Sequence, residues 1–136
     1  MTKDILMNKS QIIKRCLHRI REEYDNNPDN LLNYTKQDSI ILNLQRACEA
    51  SIDLAMHIVA EKNLGLPQTS RQAFQILNQN NLLTPELTER LKAMVGFRNI
   101  AVHDYQEINL SILKKIIDTH HVEFELYVEE LISTDN

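Results

Sequence analysis

The sequence predicts an all-α fold: a bundle of four long antiparallel helices with one short connecting helix. Three observations carry that reading. Only two Gly (Gly65, Gly96) and three Pro (Pro28, Pro67, Pro85) punctuate 136 residues, too few for the turns of a β-sandwich or barrel or for a glycine-rich phosphate loop. Apolar residues recur at the 3.6-residue period along nearly the whole chain. The length suits one domain, here residues 1–136, with a single core.

The first helix places Ile5, Ile12, Ile13, Cys16, Leu17, Ile20 and Tyr24 on one stripe, with Lys14, Arg15, His18 and Arg21 opposite. It stops before Asn26-Asn27-Pro28-Asp29-Asn30, where Pro28 cannot continue a helix. Thr35-Lys36-Gln37-Asp38 has the form of a capping box, which predicts a long second helix starting there. Its buried stripe is Ile41, Leu44, Cys48, Ile52, Ala55 and Val59, and Gly65 is the expected stop. A short third helix follows from Thr69-Ser70, with Ala73, Phe74 and Leu77 inward, and fades in Asn78-Gln79-Asn80-Asn81. Thr84-Pro85-Glu86 gives an N-cap oxygen, a proline at the first helical position and an acid at the positive helix end. The fourth helix therefore runs from there through Leu87, Leu91, Met94 and Val95. The last carries Leu110, Leu113, Ile117, His120, Phe124, Tyr127 and Leu131 at alternating spacings of three and four, a seam for a bundle core or a subunit interface.

Charge sharpens the picture. The formal net charge of −4 argues against nucleic acid, but the charges are segregated. Residues 1–21 hold Lys3, Lys9, Lys14, Arg15, Arg19 and Arg21 against Asp4 alone, whereas residues 116–136 hold six acids and no Lys or Arg. Cys16 and Cys48 form no metal or redox motif and read as small buried hydrophobes. No apolar run exceeds three residues, so the expectation is a cytoplasmic protein with no membrane partner.

The chemistry-bearing segment is Arg98-Asn99-Ile100-Ala101-Val102-His103-Asp104-Tyr105. Arginine binds phosphate through a planar, permanently charged fork, and histidine moves protons near neutrality. On a continuous helix Asn99 and His103 share a face, while Arg98 lies about 140° round from His103. Spacing alone fits a catalytic group or a helix end stapled by Tyr105.

Arg98-x4-His103-x-Tyr105, with Asn99 after the arginine, resembles the R-x(4–6)-H signature of HEPN-domain ribonucleases. The string from Gly96 to Tyr105, the segment from Ala50 to Lys62 followed by Leu64-Gly65-Leu66-Pro67, and Phe74-Gln75-Ile76-Leu77 are similar to the HepT toxins. The resemblance spans roughly residues 40 to 120 and implies a HEPN-like homodimer with the active site at the subunit interface. It implies a metal-independent endoribonuclease in which a ribose 2′-hydroxyl attacks the adjacent phosphorus, leaving a 2′,3′-cyclic phosphate and a 5′-hydroxyl. Arg98, Asn99 and His103 would be catalytic. Tyr105 would be the target of AMPylation by a cognate minimal nucleotidyltransferase, the antitoxin of the pair. The alternative is a non-catalytic helical subunit that binds a nucleotide or small-molecule acceptor for such a transferase.

If the chain cuts RNA, its largest basic surface is the first helix, with Lys14, Arg15 and Arg21 the expected phosphate contacts. Glu49, Asp53 and His57 recur every four residues but read as a solvated or hydrogen-bonding ridge. His120 and His121 point about 100° apart on a helix and do not suit one ion. No cofactor or metal is expected.

Overall fold

A computed structural model describes residues 2–134, with the side chains of 2, 107, 120, 121 and 134 left aside. The helices are α1 (Thr2–Tyr24), α2 (Tyr34–Glu61), α3 (Ser70–Gln79), α4 (Pro85–His103), α5 (Leu110–Lys115) and α6 (His121–Thr134). Short 3-10 turns cover Pro28–Leu32 and Tyr105–Glu107, and a wide π turn at Ile116–His120 joins α5 to α6. No strand occurs among the described residues. The architecture is the predicted helical bundle, with α5 and α6 together forming its last long element.

The two longest helices, α1 and α2, pack along each other, and α2 also carries α3 and α4. The predicted stripes are buried for the most part, with Ile5, Ile12 and Leu110 only half-buried at their edges. Ile13, Cys16, Leu17 and Ile20 of α1 meet Ile41, Leu44 and Cys48 of α2, together with Phe97 and Phe124. Farther along, Leu54, Ala55 and Val59 meet Phe74, Leu77, Leu91 and Tyr127. Tyr127, with no exposed surface, donates its hydroxyl to the Ser51 carbonyl at 2.8 Å and meets the Phe74 ring edge-on at 5.7 Å. That contact satisfies the one polar atom the ring brings into the core.

The start signals of α3 and α4 operate as read: Thr69 accepts from the Gln72 amide and Thr84 from the Leu87 amide. Two other boundaries differ. The second helix is capped by Asn33, whose side chain accepts from Lys36 N at 3.1 Å, so it begins ahead of the Thr35 box. Asp38 is thereby left in the helix with its carboxylate free for another partner. The same helix ends four residues before Gly65. Asn63 takes the left-handed conformation (φ +53°), while Asn63 N and Leu64 N bond to the Ala60 and Val59 carbonyls. This is a Schellman closure with asparagine in place of glycine. In the last element the heptad seam is interrupted at Ile116–His120, and the wide turn brings Ile116 inward beside Ile117. The His120–His121 pair lies outside the described side chains.

Candidate active site

Helical geometry continues without a break to His103, and Asp104 closes the helix by donating its backbone N–H to the Ile100 carbonyl at 2.8 Å. At about 100° per residue, Phe97 and Ala101 turn inward and are buried. Asn99 and His103 therefore sit at the centre of the outward face, flanked by the exposed side chains of Val102 and Ile100. Arg98 leaves the helix at the edge of this face but folds back across it. Its Nη1 donates to Asn99 Oδ1 at 2.8 Å, which carries the guanidinium toward the stripe holding His103. No bend in the helix brings Arg98 and His103 together; the arginine is tied to Asn99, the residue one turn before His103.

The arginine is held partly buried. Its Nε is shielded from solvent and has no hydrogen-bond acceptor among the described residues. Its charge lies near the Cys48 thiol, whose pKa is raised by burial, with Arg98 pulling the other way. A buried guanidinium N–H without an acceptor is costly in the free chain, and the acceptors that suit it are oxyanions.

Tyr105 begins the 3-10 turn just beyond α4 and donates its hydroxyl to Asp38 Oδ1 on α2. The phenol pKa is pushed up to about 12, first by desolvation and then by this hydrogen bond and the carboxylate charge. Asp38 is thus a functional candidate that the sequence assigned to a helix cap. Its spacing from Tyr105, 67 residues, gave no signal.

The three predicted RNA contacts do not form one free surface: Lys14 and Arg21 lie on the α6 side of α1 and Arg15 on the α2 side. Lys14 faces a shallow groove with Lys3 and Ile132, and Arg21 is taken by Glu125 of α6. Arg15 faces the opposite flank of α1, toward α2, in a groove that also contains Arg46 and Asp38. The ridge residues separate as well: Glu49 accepts from Gln45, Asp53 pairs with Lys9 at 3.5 Å, and His57 contacts Glu61 at 2.8 Å.

Comparison with known families gives the geometry its setting. The profile of the family described as "Ribonuclease HepT-like" matches residues 13–131. The chain belongs to the HepT-like ribonuclease family. It is 51 % identical over 126 residues to the mRNA nuclease HepT of Shewanella oneidensis, covering 93 % of this chain and 95 % of that protein. It is 28 % identical over 130 residues to the tRNA nuclease HepT of Aphanizomenon flos-aquae, covering 95 % and 88 %. A solved structure of the tri-AMPylated Shewanella oneidensis HEPN toxin, in complex with its MNT antitoxin, superposes with a TM-score of 0.90 at 49 % identity, covering 96 % of this chain and 98 % of that one. Membership in the HepT-like family agrees with the fold and with the residues gathered at the end of α4.

Proposed function

We propose that this chain is the toxin of a toxin–antitoxin pair, a metal-independent endoribonuclease whose Arg98, Asn99 and His103 act on RNA and whose Tyr105 is the site of inactivation. The observation that carries the reading is the Arg98 guanidinium bridged to Asn99, with His103 one turn farther along the same exposed face.

The RNA brings its own nucleophile. As the 2′-oxygen bonds to phosphorus and the 5′-oxygen leaves, one imidazole takes the 2′ proton and another supplies a proton to the leaving oxygen. The Arg98 guanidinium balances the charge that builds on the phosphoryl oxygens. Asn99 holds the guanidinium by its hydrogen bond. The His103 face is the outside of one helix, not a cleft, and it carries two exposed apolar side chains, Ile100 and Val102. A second copy placed against this face buries those side chains, supplies the second imidazole and encloses the phosphodiester. The homodimer is therefore part of the proposal.

Tyr105 stands two residues from His103 with its hydroxyl on Asp38. In modification by the partner nucleotidyltransferase, the phenolic oxygen bonds to the α-phosphorus of ATP, pyrophosphate departs, and the phenolic proton passes to Asp38. The added phosphodiester brings negative charge close to Arg98 and blocks the approach of RNA. No described helix is long and apolar enough to cross a membrane, and a substrate of cellular RNA places the activity in the cytoplasm.

The test is cleavage of RNA by the purified protein in EDTA, beside Arg98→Ala and His103→Ala. Cleavage by the parent alone is expected. Cleavage that persists in both variants, or that needs a divalent metal, overturns the mechanism.

A further inference from the structure

The groove between α1 and α2 encloses about 630 Å³, and one end of it is Asp38, the residue that holds Tyr105. Its lining is rich in charge, and most of those charges are already committed. Lys9 is paired with Asp53, and Arg19 is shared between Glu22 and Glu23. Arg15 and Arg46 make no ion pair among the described residues. Arg15 of α1 and Arg46 of α2 both line the groove, as does Cys16. Two unpaired arginines on the two walls of one groove make that stretch of it positive, which suits an anion with phosphate oxygens.

The placement along α2 is informative. Asp38, Leu42 and Arg46 recur every four residues, on one stripe facing the groove. Eight residues of helix put Arg46 about 12 Å from Asp38 along the axis. A stacked strand of nucleotides advances about 3.4 Å per residue, so three to four nucleotides cover that span. Leu42, 41 % exposed, lies between the two ends and gives a base an apolar surface. Beyond Arg46 the lining offers Glu49 and an Asp53 already paired with Lys9, and so no further free cation for a longer polyanion among the described residues.

We propose that Arg15 and Arg46 form a phosphate seat for a short phosphodiester-linked nucleotide strand that starts at Tyr105 and lies in the α1/α2 groove. The proposal rests on the reading of Tyr105 and RNA given above and adds the strand's path. Two sources supply this chemistry: nucleotides attached to Tyr105, or the substrate RNA. If both use the seat, modification inhibits by filling the strand's own track as well as by shielding Arg98.

The test uses the double variant Arg15→Gln/Arg46→Gln, whose changed side chains are both exposed; circular dichroism and thermal melting confirm that it folds. In the first arm, unmodified protein carrying Tyr105→Phe binds a fluorescent 2′-O-methyl tetranucleotide, which cannot be cleaved. The double variant is expected to bind at least tenfold more weakly, with a slope of log Kd against log salt shallower by about 1.4. In the second arm, protein co-expressed with the nucleotidyltransferase and shown by mass to carry AMP is treated with a phosphodiesterase. Nucleotide is expected to leave the double variant several-fold faster.

An effect in the first arm alone assigns the seat to substrate, and an effect in the second alone assigns it to the protein's own modification. Unchanged affinity, salt slope and removal rate overturn the proposal. Absence of any AMP mass shift counts against the modification reading, and the first arm then decides alone. Failure of the parent to cut RNA counts against the nuclease reading without touching the binding measurement.

Discussion

Tyr105 and Asp38 show how a single contact can set the chemistry of a proposed modification site. An ordinary phenol loses its proton near pH 10, and here the value rises to about 12 through desolvation and the neighbouring carboxylate. The folded protein therefore holds this proton more tightly than the unfolded chain. The stability it contributes is complete below about pH 10 and is lost as pH rises toward 12. The difference in phenolate absorbance between parent and Tyr105→Phe is expected to rise with a midpoint near 12, and Asp38→Asn to bring it down; a parent midpoint near 10 would contradict the contact. At neutral pH the hydroxyl is fully protonated, so Asp38→Asn is also expected to slow AMPylation, measured as the rate of the mass shift with the purified transferase. On the nuclease side, His103→Ala removes proton transfer and is expected to lower kcat by roughly 10² to 10⁴-fold. Arg98→Ala removes an oxyanion partner and should cost about 10² to 10³-fold. Both are read from initial rates on one RNA in EDTA. Arg98, Asn99, His103 and Tyr105 stood out as candidates through the family resemblance of their octapeptide, since spacing alone left a stapled helix end open; Asp38 did not, because only the packing of α2 against the end of α4 brings it there.

At the scale of elements, the sequence signals succeeded where one residue has one local job. Thr84 precedes Pro85 and Glu86, and its hydroxyl caps α4 as the order implies. The capping-box reading at Thr35 failed because Asn33, two residues upstream, accepts from Lys36 N and starts the helix first. Substituting Asn33 by Ala is expected to cost about 1 kcal/mol in urea denaturation, whereas Thr35→Ala, on the exposed first turn, should stay within about 0.5 kcal/mol. The reverse order would restore the box. The end of α2 shows the same competition: Gly65 is the residue best suited to a stop, but Asn63 reaches the left-handed conformation earlier and closes the helix. The turn at Ile116–His120 was hidden because an apolar repeat of three and four describes a straight helix and a locally widened one almost equally well.

Across the whole molecule, the segregation of charge becomes a packing fact. The basic α1 lies against the acidic α6, and Arg21 is drawn to Glu125. A list of bases along a helix gives no account of which ones have been claimed, which is why Lys14, Arg15 and Arg21 read as one surface although Arg21 is paired and Arg15 faces α2. The dimer is tested at this scale. If one cleft needs an imidazole from each subunit, activity in wild-type and His103→Ala mixtures, exchanged and reannealed at fixed total protein, should fall with the square of the wild-type fraction. A linear fall would place a complete site in each chain. The bond between Tyr105 and Asp38 has a last consequence. An esterified phenolic oxygen has no proton left to donate, and its new phosphate repels the carboxylate that held it. On the proposed modification of Tyr105, the first nucleotide unlatches the 105–107 turn from α2, so that a modified chain should show faster amide exchange there than an unmodified one, a mark of its history that outlasts the encounter with the transferase.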